Sequence, residues 1–131
     1  MKRLLAGPLF VALASGMVGC ATSGNEVSTT ATRRFDPESV TVSVGETVTW
    51  TNDEAEAHTV TAYQDELPDG AGYWASGGAT SEEEARDRIA DGLLAPDDAF
   101  EASFSEPGTY EYFCIPHESE GMTGRVVVED R

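Results

Sequence analysis

Lysine is almost absent from this 131-residue chain: one stands at position 2, and seven arginines supply the remaining positive charge against 24 acidic side chains, for a formal net charge of −16. Such a polyanion repels nucleic acid, which excludes that class of partner. Cysteine and histidine are just as scarce, with only Cys20, Cys114, His58 and His117. Two cysteines exclude a scaffold of several disulfides and a zinc site of four thiolates, and two histidines exclude a multi-metal enzyme fed by many imidazoles. Cys20 and Cys114 are also too far apart for a finger of two cysteines and two histidines. Long hydrophobic runs are missing too, since none reaches the roughly 20 residues that span a bilayer. With 40% hydrophobic residues the chain is nonetheless a folded protein with an acidic surface, and its length is that of one domain.

Lys2 and Arg3 precede the apolar run 4–18, which ends at Gly19-Cys20 and gives way to small and polar residues. This is the layout of a secretory signal. A Cys directly after a small residue at its end resembles a lipobox, where a lipoprotein is cleaved and acylated. The alternatives for Cys20 are a spare thiol or half of a disulfide with Cys114. The resulting organisation is a signal peptide over 1–19, a lipidated Cys20 with a flexible linker over 20–34, and a folded domain over 35–131. The linker, 21–34, reaches at most roughly 45–50 Å when extended. Cleavage leaves 6 basic and 24 acidic side chains, net −18, and removes the only lysine. A lysine-free acidic surface resembles that of proteins from salt-loving organisms, where brine screens the repulsion. An acidic docking patch for a basic partner is the alternative, but the carboxylates are scattered along the chain.

From Phe35 onward the chain alternates at strand period. Ser39-Val40-Thr41-Val42-Ser43-Val44 and Thr47-Val48-Thr49-Trp50-Thr51 flank a Gly45-Glu46 turn, and the habit returns in 58–62, 102–104, 109–113 and 124–129. Pro107-Gly108 marks a further turn. Several short strands in about 100 residues predict an all-β Greek-key sandwich or barrel. Between Tyr63 and Ala99 lies a Gly- and Asp-rich insertion. Inside it Ser81-Glu82-Glu83-Glu84 reads as a capping box, the pairs Glu82/Arg86 and Glu84/Arg88 stand at i,i+4, and Gly92 can end the helix. One short helix of about three turns is expected, resting on the sandwich through Ala85, Ile89 and Leu93.

The chemistry is concentrated in Cys114-Ile115-Pro116-His117-Glu118-Ser119-Glu120-Gly121-Met122, a C-x2-H-x4-M loop after a strand. Thiolate, imidazole and thioether together suit copper, and two histidines with one cysteine and a long axial Met describe a blue electron-transfer site. The loop supplies one His, so the other must be His58, from a distant strand. Taken singly, each has a plainer reading: a buried thiol, a hydrogen-bonded imidazole, a core Met. Together they use both histidines and the only thiol of the mature chain besides Cys20. A catalytic Cys114–His117 pair is the less favoured alternative, because no orienting Asn or Asp is evident and Met122 is left without a role.

Phe35-Asp36-Pro37, the alternating valines, Gly45-Glu46, Trp50-Thr51-Asn52, His58-Thr59-Val60, Pro107-Gly108-Thr109-Tyr110 and the Cys114 to Met122 loop, in that order, resemble the plastocyanin-type blue copper proteins, and among them the haloarchaeal lipoproteins called halocyanins. The resemblance spans 35–129. It implies a cupredoxin fold with His58, Cys114 and His117 as equatorial ligands and Met122 as the axial ligand of one copper ion. It further implies a monomer, held by Cys20 on the extracytoplasmic face of the cell membrane, that passes single electrons between redox partner proteins of a membrane electron-transport chain and is not an enzyme. Thr59 stands where plastocyanins usually carry Asn, which changes the side-chain hydrogen bonds that bear on the potential; Phe113 stands where they carry Tyr just before the copper Cys, which favours the His117 edge, near Ile115 and Pro116, as the electron port. The rival functions are a copper store or chaperone and a metal-free extracytoplasmic adhesion module.

Overall fold

The computed structural model describes residues 24–130; the expected signal peptide and Cys20 lie outside them. Eight strands follow in chain order: β1 (Glu26–Thr29), β2 (Phe35–Asp36), β3 (Ser39–Ser43), β4 (Thr47–Thr51), β5 (Thr61–Ala62), β6 (Ala99–Ser103), β7 (Gly108–Phe113) and β8 (Thr123–Glu129). They form two four-stranded sheets, ordered β2-β1-β4-β6 and β3-β8-β7-β5. β1 runs parallel to β4 and β3 parallel to β8, while the other pairings are antiparallel. This is the expected all-β cupredoxin sandwich. Its inner faces come directly from the alternation: Val40 and Val42 of β3, Val48 and Trp50 of β4, and Val126 and Val128 of β8 are buried, while Ser39, Thr41, Arg125 and Glu129 face outward. Aromatic rings fill the centre, with Tyr112 edge-on to both Phe35 and Trp50.

Three expectations need correction. The stretch 20–34, read as linker, contains β1, which is central enough to pair with β2 on one side and β4 on the other and to bury Val27 and Thr29. The domain therefore begins well before Phe35. The segment 58–62 is a strand only at Thr61–Ala62. Ahead of it the backbone is taken by the insertion: Val60 N–H donates to Ser76 Oγ at 2.9 Å, Ser76 N–H donates back to Val60 O at 2.7 Å, and His58 bridges to Leu94.

The insertion helix, finally, is two helices, α1 (Glu82–Asp87) and α2 (Ile89–Gly92), broken where Arg88 leaves helical geometry at φ −120°, ψ 47°. Ser81 does cap α1 by accepting from Glu84 N–H, but the Glu84 carboxylate accepts from Thr80 Oγ1 instead of closing the box. Glu82–Arg86 forms at 3.0 Å, whereas Arg88 turns to Asp91 at 2.8 Å and lies 4.0 Å from Glu84. The break rotates the apolar stripe: Ala85 is buried as expected, Ile89 and Leu93 are exposed, and Leu94 takes the place in the core. Glycine is required where α2 meets the segment before it. A Cβ on Gly92 would lie 2.8 Å from Ser76 O, and one on Gly77, at φ +87°, only 2.4 Å from Asp91 O.

Asn52, at the end of β4, is fully buried and joins four parts of the chain. Its Nδ2 donates to Glu56 O and Leu94 O, both at 2.8 Å, and its Oδ1 accepts from Thr29 Oγ1 at 2.8 Å and Glu54 N–H at 2.9 Å. The loop 52–58 is shaped by this one amide. Removing it takes a partner from two carbonyls, an N–H and a hydroxyl, although Leu94 O keeps the His58 N–H. Asn52→Ala should lower unfolding free energy by about 3 kcal/mol, against about 1 kcal/mol for Thr29→Val, which deletes one bond of the four. Equal denaturant midpoints for the two variants would contradict this account.

Candidate metal centre

His58 is delivered by the loop that Asn52 shapes, and its backbone is fixed at both polar groups: N–H to Leu94 O at 3.3 Å, and its carbonyl accepting Leu94 N–H at 2.8 Å. Cys114 follows β7. The segment Ile115–Glu120 then winds as 3-10 turns that end at Gly121, which adopts φ +80° and donates its N–H to Glu118 O. The loop closes on itself: Cys114 N–H donates to Met122 O at 3.0 Å, His117 N–H to Cys114 O at 3.2 Å, and Met122 N–H to His117 O at 3.2 Å. Cys114 is a free thiol, and its side chain and that of Met122 are both fully buried in the same apolar cluster.

Three of the four residues expected at the metal site meet directly. His58 Nδ1 and His117 Nδ1 are 3.2 Å apart, and Cys114 Sγ lies 3.8 Å from the first and 3.5 Å from the second. They are the one cluster of potential His, Cys or carboxylate ligands among the described residues, and all three are buried. A point within this triangle lies roughly 2.0 Å from each donor, close to first-row metal–nitrogen lengths and somewhat short of metal–sulfur ones. Soft sulfur beside two imidazole nitrogens is a copper-type donor set. Burial pushes the Cys114 thiol upward in pKa, and burial with the neighbouring His117 pushes His58 downward. Both shifts favour neutral forms, so a thiolate-binding cation has to displace the thiol proton. Thr59 N–H donates to Cys114 Sγ at 3.4 Å, and Thr59 Oγ1 accepts Ile115 N–H at 2.8 Å, so this residue ties the His58 segment to the sulfur and to the loop beyond it.

Other struts come from residues that the sequence did not single out. Arg34 Nη1 donates to the carbonyls of Glu120 and Gly121 at 3.0 and 2.9 Å. Arg33 grips both carboxylate oxygens of Glu56 at 3.0 Å and reaches Glu120 at 2.7 Å, and Glu56 Oε1 in turn lies 3.1 Å from His117 Nε2. The Arg33 guanidinium holds the Glu56 carboxyl below the ordinary carboxylate range. On the opposite flank Arg86 of α1 makes a two-pronged contact with Glu118 at 2.7 and 3.1 Å and lies 4.5 Å over the Phe113 ring, on which Tyr63 also stacks. Tyr63 Oη donates to Glu118 at 3.1 Å. One available signal was Arg33-Arg34, an adjacent pair of cations in a chain with very few.

A family model described as copper binding proteins, plastocyanin/azurin family, matches residues 21–129. That span includes β1, in agreement with the earlier start of the domain. Plastocyanin of Scenedesmus fuscus is 41% identical over 95 residues, covering 72% of this chain and 86% of that protein. Among solved structures, oxidised plastocyanin from Dryopteris crassirhizoma superposes with a TM-score of 0.57 at 33% identity, covering 79% of this chain and 99% of its own. A Cu(I) amicyanin variant superposes with a TM-score of 0.60 at 30% identity, covering 85% and 87%. With the donor triangle and the two-sheet fold already in place, these matches assign the chain to the plastocyanin/azurin family of copper-binding proteins.

Proposed function

We propose that this protein is a mononuclear blue copper electron carrier of the halocyanin type, anchored to the extracytoplasmic face of the membrane, in which His58, Cys114, His117 and Met122 would hold the ion. The observation that carries the reading is the meeting of two imidazole Nδ1 atoms and one thiol, from segments far apart in sequence, in a single buried triangle. Bound copper would supply a one-electron Cu(I)/Cu(II) couple. Four protein donors leave no coordination position for a substrate, which separates a carrier from a metalloenzyme. The backbone bonds of Cys114, His117 and Met122, together with Arg34 and Thr59, would hold the donors in place as the ion changes oxidation state. The His117 edge, beside half-buried Ile115 and exposed Pro116, would be the port for the electron.

The anchor reading rests on the signal and Cys20. The earlier start of the domain shortens the tether, because only residues 21–25 separate Cys20 from β1, a reach of at most about 18 Å. Asn25 bonds to Glu46 and Thr47 at the β3–β4 turn, whereas Thr29, at the other end of β1, bonds to Asn52 beside the donor loop. The tether thus joins the pole opposite the metal centre, which turns the His117 edge away from the lipid.

The oxidised, copper-loaded protein should be intensely blue with one ion per chain. Cys114→Ser should abolish the colour while the sandwich stays folded. Met122→Leu should keep the colour and raise the potential, because the weak axial donor tunes the site more than it holds the ion. A colourless Cu(II) complex of the wild type would instead support a copper store. In the native host, Cys20→Ser should leave the membrane fraction, as precursor or as soluble protein; equal partitioning of variant and wild type would refute the anchor. With net −18 after cleavage, thermal stability should climb from dilute buffer to molar KCl as self-repulsion is screened, since the Debye length falls to about 3 Å at 1 M. A flat profile would remove the halophilic reading.

A further inference from the structure

We propose that Glu56, steadied by Arg33, is a positioning residue for His117: its carboxylate accepts the Nε2–H of that imidazole, fixes the tautomer and ring plane that present Nδ1 to the copper, and biases the site toward Cu(II). The inference rests on His117 being a copper ligand. A carboxylate can only accept here, and a neutral imidazole carries one N–H, so the 3.1 Å contact at Nε2 leaves the Nδ1 lone pair facing Cys114 and His58. Glu56 is itself immobilised, because Arg33 holds one of its oxygens through Nε and the other through Nη2 and spans to Glu120 of the donor loop through Nη1. Arg33 is aimed there by left-handed backbone, φ 59°, in the β1–β2 turn. The ion pairs cover His117, which is 5% exposed, while the Glu56 and Arg33 side chains are partly in solvent.

The two histidines are treated differently. Among the described residues His58 Nε2 is buried without a partner, and of the two histidines only His117 is keyed by a charged group. Exposed ion pairs contribute little to stability, so the consequence of these pairs falls on the imidazole they touch. A carboxylate bonded to the outer nitrogen of a ligand imidazole raises the basicity of the inner one and stabilises the more positive metal. Arg33 offsets part of that negative charge. The signs are therefore opposite: neutralising Glu56 favours Cu(I), and removing Arg33 favours Cu(II).

The test uses the full copper-loaded protein, its Glu56→Gln variant, and Arg33→Asn, which suits left-handed backbone. Glu56→Gln should bind Cu(II) about tenfold more weakly, change Cu(I) affinity less, and raise the reduction potential, whereas Arg33→Asn should lower the potential. In the diamagnetic Cu(I) form, NMR should show a slowly exchanging His117 Nε2–H in the wild type, exchanging faster in Glu56→Ala. Potentials that move in the same direction in both variants, or in neither, would overturn the inference while leaving a blue wild type intact. A wild type that takes up no copper would overturn the ligand reading and this inference with it.

Discussion

Two imidazole nitrogens and a thiol sulfur held between 3.2 and 3.8 Å apart in a dry interior are the constraint on which the rest of the structure depends. As a hydrogen-bonded core the arrangement is poor: with the His117 proton on Nε2 the two Nδ1 atoms share at most one proton, and His58 Nε2 has no partner among the described residues. As a shell for a soft cation the same closeness is favourable. Side chains left to themselves would separate, so their approach has to be imposed by the surrounding backbone and by groups that touch the donors from outside.

That imposition is long-range. The donor loop 114–122 supplies its own closure through Cys114, His117 and Met122, but its position relative to His58 is set by Thr59 N–H on the sulfur and Thr59 Oγ1 on Ile115. Asn52 joins β1, β4, the loop before His58 and the end of the insertion. The insertion is more than an appendage: it provides the Leu94 bridge to His58, the Ser76 bonds to Val60, and the Arg86 clamp on Glu118. Trp74 from the same insertion stacks on Trp50, 5.3 Å between centroids, and fastens it to the sandwich.

The strands with alternating valines, the turns at Gly45 and Gly108, the Ser81 cap and the C-x2-H-x4-M loop were legible in the sequence because each depends on neighbours within a few residues. β1 was not. Glu-Val-Ser-Thr offers little apolar signal and becomes a strand because β2 and β4 pair with its two edges. The strand expected from His58 shortens for the same reason in reverse, since Ser76 and Leu94 occupy backbone that a sheet neighbour would otherwise have taken. The break at Arg88 separates two halves of a helical pattern that local periodicity treats as one, and it was invisible because Arg88 is as good a helix former as its neighbours. Arg33, Arg34 and Glu56 escaped notice because their partners lie far along the chain, and an exposed charge in an acidic sequence reads as surface until its partner is known.

Scarcity makes the placement of positive charge informative. Beyond residue 19 the chain has six arginines and no lysine, and three of them, Arg33, Arg34 and Arg86, contact the donor loop directly, at Glu120, at the Glu120 and Gly121 carbonyls, and at Glu118. Elsewhere carboxylates predominate and the surface field is negative. Beside the donor loop three arginines face the carboxylates of Glu56, Glu82, Glu118 and Glu120, which offsets part of that negative charge there. The arginines that brace the loop against separation of its donors are thus the same ones that offset the carboxylates around it.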